Sequence, residues 1–84
     1  MLTLHDIPIR NVGYEIIAAI ITGKDEAAVI GKNTTGVGAL YVCWSYKAGG
    51  GFYYGNYTNS LQDAVMHLQR KTVFLSTKRE DAAD

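Results

Sequence analysis

The chain has 84 residues, of which 48% are hydrophobic and 19% are charged, and its eight basic residues balance eight acidic ones. This length and composition predict one small globular domain of modest stability. The formal net charge of zero argues against a protein that binds nucleic acid through a basic surface, and equally against an acidic mimic of DNA.

The amino-terminal residues 1–13 are predicted to form an arm or an edge strand, because Pro8 cannot donate a hydrogen bond within a central strand. These residues do not combine a basic start with an apolar core, so we expect no secretory signal and a cytoplasmic protein. The longest apolar run, Ile16–Ile21, is far shorter than the roughly 20 residues that a membrane span needs. We therefore expect no association with a membrane.

Four strands are predicted after this segment. The first is rich in β-branched residues and ends at Gly23, which favours a strand, although Ala18 and Ala19 leave a helix as the alternative. The predicted strands are Tyr14–Thr22, Ala27–Lys32, Leu40–Lys47 and Phe52–Thr58, with a loop at Asn33–Gly38 and a glycine turn at Ala48–Gly51. Short connections between successive strands predict an antiparallel meander.

A helix is predicted to follow the last strand. Asn59 or Ser60 would cap it, and Asp63 stands where a capping box usually has glutamate. Helical spacing places five apolar residues on one face: Leu61, Ala64, Val65, Leu68 and Leu75. The helix is expected to run from Leu61 to about Thr72, or as far as Leu75.

The predicted fold class is α+β: a four-stranded antiparallel β-meander followed by one carboxy-terminal helix packed on one face, in the order ββββα. Residues 14–75 would form the single domain. Residues 76–84 have no apolar period and are predicted to form a disordered tail.

The segment 39–58, ALYVCWSYKAGGGFYYGNYT, is the most distinctive part of the chain, because it reads as two aromatic strands joined by a glycine tip. We assume a two-residue tip at Gly49 and Gly50. This tip pairs Lys47 with Phe52, Tyr46 with Tyr53, Trp44 with Gly55 and Val42 with Tyr57. A slip of one residue at the turn would exchange the two faces of the last strand.

Paired residues share a face of the sheet, so this register predicts two faces of different character. The face predicted to lie under the helix carries Leu40, Val42, Trp44, Tyr46, Tyr53 and Tyr57. The opposite face carries Tyr41, Cys43, Ser45, Lys47, Phe52, Tyr54 and Asn56. Since one helix covers one face, the second face is expected to be exposed unless the amino-terminal arm folds over it.

This second face supplies the candidate binding residues: Tyr41, Phe52, Tyr54, Lys47 and Asn56. Exposed tyrosines without charge at their centre are typical of protein interfaces. The alternative interpretation is that half-exposed tyrosines simply flank an antiparallel sheet. Recognition of RNA by stacking is not expected, because only Lys47 would supply a positive charge on this face.

Catalytic chemistry has little support in the sequence. His67 is expected to flank the helix, His5 stands beside Asp6 without a further partner, and Cys43 lies within a strand with no activating charge near it in the sequence. The single cysteine also rules out an intrachain disulfide and zinc sites with several cysteines. We expect no catalytic residues, no metal and no cofactor.

The leading hypothesis is a small non-enzymatic binding module that acts through a protein interface, as a homodimer, an inhibitor or an adaptor. In size, in its compact sheet-plus-helix order and in its lack of catalytic motifs, the chain is similar to small accessory proteins of phages and mobile elements. The alternative is a protein that binds or sequesters a small nucleotide-like ligand at a dimer boundary, between tyrosines and the loop Asn33–Gly38.

Overall fold

A computed structural model describes the backbone of residues 1–83 and the side chains of residues 1–72. Within them, a short 3-10 helix at Leu4–Asp6 precedes strands β1 (Arg10–Asn11), β2 (Tyr14–Ile21), β3 (Glu26–Asn33), β4 (Tyr41–Lys47) and β5 (Gly51–Thr58) and helix α1 (Leu61–Ala83). The strands form one antiparallel sheet in the order β1-β2-β3-β4-β5, curved into a half-barrel. The α+β class is therefore confirmed, but the predicted count of four strands is wrong by one.

The additional strand is β1, which forms a tight hairpin with β2. Arg10 pairs with Glu15 and Asn11 with Tyr14. The two residues between the strands are Val12 and Gly13, with φ angles of 49° and 82°. Such turns favour Asn or Gly at both positions, and the valine explains why the sequence carries no clear hairpin signal here.

Strands β2 and β3 confirm the choice of strand over helix for the region around Ala18 and Ala19. β2 pairs along its whole length with β3, with one irregularity between Ile16 and Ala18. β3 pairs with β2 on one side and with β4 on the other, and its residues from Ala27 to Gly31 are buried. β3 is therefore the central strand of the sheet.

The β4–β5 hairpin has a longer tip than the sequence suggested. Lys47 pairs with Gly51, so three residues form the loop, and Tyr46 pairs with Phe52 instead of with Tyr53. The predicted register returns further along, where Val42 pairs with Tyr57.

A β-bulge reconciles the two registers of this hairpin. Ser45 pairs with Tyr53 and Cys43 with Asn56, so Trp44 alone lies opposite the two residues Tyr54 and Gly55. Tyr54 has a φ of 53°, which is uncommon for a residue with a side chain. Relative to the predicted register, β5 is therefore shifted by one residue only between the tip and the bulge, and only there are its two faces exchanged.

One face of the sheet carries the larger of two apolar clusters. Its buried members are Leu2, Ile7, Tyr14, Ala27, Val29, Val42, Trp44 and Tyr46, and Ile16, Ala19 and Phe52 pack against them. The ring of Trp44 contacts that of Tyr14 edge to face, with centroids 5.5 Å apart. Leu2 and Ile7 show that the amino-terminal arm covers this face.

Helix α1 packs on the opposite face, where the second cluster contains Ala28, Ile30, Cys43, Ala64 and Leu68. The prediction that the helix covers the Trp44 face is therefore wrong. The physical reason is side-chain size: Ala28 and Cys43 let the helix approach closely at Ala64. The other face carries the bulky rings of Tyr14, Trp44 and Tyr46, and Leu2 and Ile7 of the amino-terminal arm pack there instead.

The start of α1 agrees with the sequence, and its buried stripe is narrower than predicted. The Asp63 amide donates to the Ser60 hydroxyl at 3.4 Å, so Ser60 is the N-cap, whereas Asn59 accepts a hydrogen bond from the Leu40 amide. Ala64 and Leu68 are buried as predicted. Two further stripe residues, Leu61 and Val65, are exposed.

The helix continues to Ala83, beyond the end expected between Thr72 and Leu75. The side chains of residues 73–84 lie outside the described residues, and Leu75 is among them. The division of the chain into an arm, a domain at 14–75 and a tail at 76–84 stays a prediction. No helix within the described part of the chain has the length and apolar character that crossing a membrane would require.

The loop between β3 and β4 is held by the side chain of Asn33. Its amide nitrogen donates to the carbonyl oxygens of Val37 at 2.6 Å and Ala39 at 2.9 Å, and its oxygen accepts from the Thr35 amide at 2.7 Å. These bonds replace the backbone pairing that a tighter turn would provide. The loop is therefore a folded connection.

Candidate functional site

The five predicted binding residues do not share one open face. Tyr41 is half-buried and packs against the cluster under α1, whereas Phe52 packs against the Trp44 cluster on the opposite face. Lys47 is exposed at the end of β4. Only Tyr54 and Asn56 lie together, on the face that the helix partly covers. The predicted exposure of Tyr41 and Phe52 is wrong, because Tyr41 packs on the cluster under the helix and the three-residue tip pairs Phe52 with Tyr46, on the Trp44 face.

A groove of about 570 Å³ lies between α1 and the sheet, beside Tyr54 and Asn56. Ala28 and Ser45, which are paired neighbours on β3 and β4, line its sheet side. Their side chains are too small to fill the space beyond the Leu68 contact. The groove therefore results from the same small residues that let the helix approach the sheet.

The helix side of the groove is polar and basic. His67, Arg70 and Lys71 line it, and they are residues that the sequence analysis did not select as a site. Their spacing of three and four residues places them on one stripe of a helix, a signal that was available in the sequence. What the sequence could not supply was the sheet surface that faces this stripe.

The electrostatics of the groove are dominated by two cations and one carboxylate. Within the described residues the one ion pair is Arg10 with Glu15, at 3.9 Å, so no described carboxylate lies within 4 Å of Arg70 or Lys71. Glu26 also lines the groove. Burial raises the pKa of the Tyr53 hydroxyl nearby, and the negative charge of Glu26 adds to the increase.

Cys43 lies under the helix and is fully buried. Burial raises the pKa of its thiol, and the positive charge of Lys71 lowers that pKa by a smaller amount. The thiol is therefore neutral at pH 7 and shielded from reagents, which fits a packing role. In the described part of the chain, no three His, Cys, Asp or Glu side chains cluster closely enough to hold a metal ion.

The second surface of interest is the free edge of the sheet at β5. This strand pairs with β4 on one side only, and its sequence GFYYGNYT contains no charge and no proline. Tyr54 is 77% exposed and Tyr57 is 59% exposed. They project from different faces, since Tyr57 contacts the rings of Tyr14 and Trp44, whereas Tyr54 lines the groove beside α1.

Comparisons with protein-family models, with curated proteins and with solved structures found no match to this chain.

Proposed function

We propose that the protein is a small non-enzymatic binding module that takes up an extended protein segment along the free edge of β5. The observation that carries this proposal is the eight-residue uncharged edge strand with exposed tyrosines. An unpaired edge offers a row of backbone donors and acceptors, and an added strand satisfies them while exposed rings contact its side chains. Such a module would serve as an adaptor, an inhibitor or an accessory protein.

The opposite edge of the sheet, at β1, is protected against pairing, and this difference supports β5 as the edge that binds a partner. β1 has only two residues and carries the Arg10–Glu15 ion pair. Short strands and charged side chains are the usual means by which proteins protect an edge from pairing. β5 is neither short nor charged, and its one protective feature is the bulge at Tyr54, which changes the direction of the strand without adding a charge.

A second copy of the chain is the partner that this edge fits. An antiparallel pair of β5 strands around a two-fold axis places no like charges opposite each other, because the strand has none. Pairing in this way would join the two half-barrels into one continuous sheet.

Light scattering across a concentration series tests the proposal. We expect the solution mass to rise from 9.2 kDa towards twice that value. We expect Tyr57→Lys to remain monomeric, because two copies would bring like charges together at the edge. Asn56→Lys should also remain monomeric, and this substitution lies outside the Trp44 cluster. Val37→Lys, at an exposed position outside β5, is the matched control and should dimerise like the wild type.

Two results would contradict this function. One is a wild-type protein that stays monomeric at every concentration. The other is dimerisation of the two β5 variants with unchanged affinity, which would place the contact elsewhere. The alternative function, binding of a nucleotide-like ligand, is favoured by the groove under α1 and not by the loop at 33–38.

A further inference from the structure

The groove under α1 combines a cavity, two cations and an exposed aromatic ring. It has the volume of a small-molecule site, about 570 Å³ within a usual range of roughly 300–1,000 Å³. Its helix side is basic, and its sheet side combines the small residues Ala28 and Ser45 with one carboxylate, Glu26. The groove shares Tyr54 and Asn56 with β5 but uses the cations of α1 and not the backbone edge of the strand, so the inference drawn from it does not depend on the proposed function.

The basic side of the groove is suited to an anion. Arg70 and Lys71 are adjacent on the helix, and His67 lies one turn before Lys71. A guanidinium and an ammonium group together are a common arrangement for phosphate, since one binds in a planar fork and the other as a point charge. Glu26 is the single described carboxylate in the lining, so the described lining is net positive.

Tyr54 supplies an aromatic surface beside these cations. Its ring is 77% exposed and rests edge to face against Tyr53, with centroids 4.9 Å apart. The bulge holds Tyr54 at a φ of 53°, a conformation that costs free energy and persists where the surroundings enforce it. The strained position directs a large ring into the groove lining, where a planar ligand could stack on it.

Asn56 adds hydrogen-bonding capacity next to Tyr54. It lines the groove, and its side chain forms no hydrogen bond with any described residue. An amide offers both a donor and an acceptor, the pattern that matches the edge of a nucleobase. Ser45, paired with Ala28 on the floor, offers a hydroxyl in the same space.

We propose that this groove binds a mononucleotide-sized ligand, with its phosphate held by Arg70 and Lys71 and its base stacked on Tyr54 within reach of Asn56. The ligand class is a phosphate joined to a heteroaromatic ring. Neither part alone uses the whole groove, so both should be needed for full affinity.

Isothermal titration with adenosine monophosphate, uridine monophosphate, inorganic phosphate and adenosine tests this directly. We expect a mononucleotide to bind with a Kd below about 1 mM. Inorganic phosphate and adenosine should each bind at least about tenfold more weakly. Equal affinity for phosphate alone would overturn the stacking role of Tyr54, and equal affinity for adenosine would overturn the role of the cations.

Variants locate the site. Lys71→Gln and Tyr54→Ala should each weaken mononucleotide binding by about tenfold. Lys32→Gln, an exposed lysine on β3 outside the groove, is the matched control and should bind like the wild type. Circular dichroism confirms that each variant is folded.

A second measurement uses the unmodified protein and does not depend on any variant folding. In amide spectra of the wild type titrated with adenosine monophosphate, the largest shifts should fall at Ser45, Tyr54, Asn56 and Lys71. Shifts confined to other residues, or no binding by any mononucleotide at millimolar concentration, would refute the proposed site.

Discussion

Trp44 packs directly over Gly55, the residue that the β5 bulge places beside it. A Cβ atom built on Gly55 would lie 2.8 Å from the indole Nε1 of Trp44 and 2.9 Å from Cε1 of Tyr57. Both distances are below 3.0 Å, a separation that real Cβ atoms essentially never show. The absence of a side chain at Gly55 is therefore what lets the Trp44 ring lie against the strand.

We expect Gly55→Ala to lower the free energy of unfolding by about 1–3 kcal/mol, because the buried Trp44 ring has little room to move. Urea unfolding followed by the fluorescence of Trp44, the sole tryptophan, measures this. Gly50→Ala is the control: its Cβ would lie 3.6 Å from the nearest side-chain atom, an ordinary contact. Equal midpoints for the two variants would contradict the Trp44–Gly55 contact.

The amino-terminal arm is part of the core, and two isoleucines within it allow a matched test. Ile7 is 6% exposed and Ile9 is 75% exposed. Ile7→Ala should cost about 2–4 kcal/mol, since it leaves a cavity against the Trp44 cluster. Ile9→Ala should change stability by less than about 0.5 kcal/mol. Similar losses in urea unfolding for both variants would mean that the arm does not pack as described.

Val12 is a β-branched residue at a φ of 49°, where the left-handed backbone crowds its side chain. We expect Val12→Asn to raise the free energy of unfolding by about 0.5–1 kcal/mol, because asparagine tolerates this conformation. Val37→Asn, at another exposed valine, is the control and should have little effect. A loss of stability in Val12→Asn alone would argue against the tight β1–β2 turn.

Cys43 gives a pH dependence whose sign follows from burial, which raises the pKa of its thiol in the folded state. The neutral thiol contributes its full stability below the pKa of the unfolded state, about 8.5, and this contribution is lost as the pH rises through the folded pKa. The wild type should therefore lose stability more steeply than Cys43→Ala between about pH 8 and about pH 10.

Urea unfolding at several pH values gives the free energy of unfolding of each protein as a function of pH. The slopes of these two curves are compared, and not their absolute values, because the alanine variant also loses packing. Parallel curves would show that the thiol has the same pKa in both states and is not buried. Thiol-reactive reagents should label the native wild type slowly at pH 8, and faster in Leu68→Ala, which loosens the helix over Cys43.

Local patterns were sufficient to predict much of the fold. Four strands and the helix start were predicted within a residue or two, because β-branched runs, glycine turns and the Ser60 cap act over a few neighbouring residues. An edge strand was one of two options for residues 1–13, and β1 was left out of the count of four strands because Val12 occupies a turn position that usually holds Asn or Gly. Of the predicted binding residues, Tyr54 and Asn56 lie together, whereas the cations that face them were not selected.

The sequence by itself determined an α+β domain of zero formal net charge, with an aromatic hairpin and a helix that begins after Ser60. Only the tertiary structure decided which face of the sheet that helix covers and which rings turn inward. The physical reason is that a single extra residue at the Tyr54 bulge exchanges the faces of the sheet on which Phe52 and Tyr53 lie. The choice of helix face depends on the size of side chains, such as Ala28 and Cys43, that meet only after the strands pair.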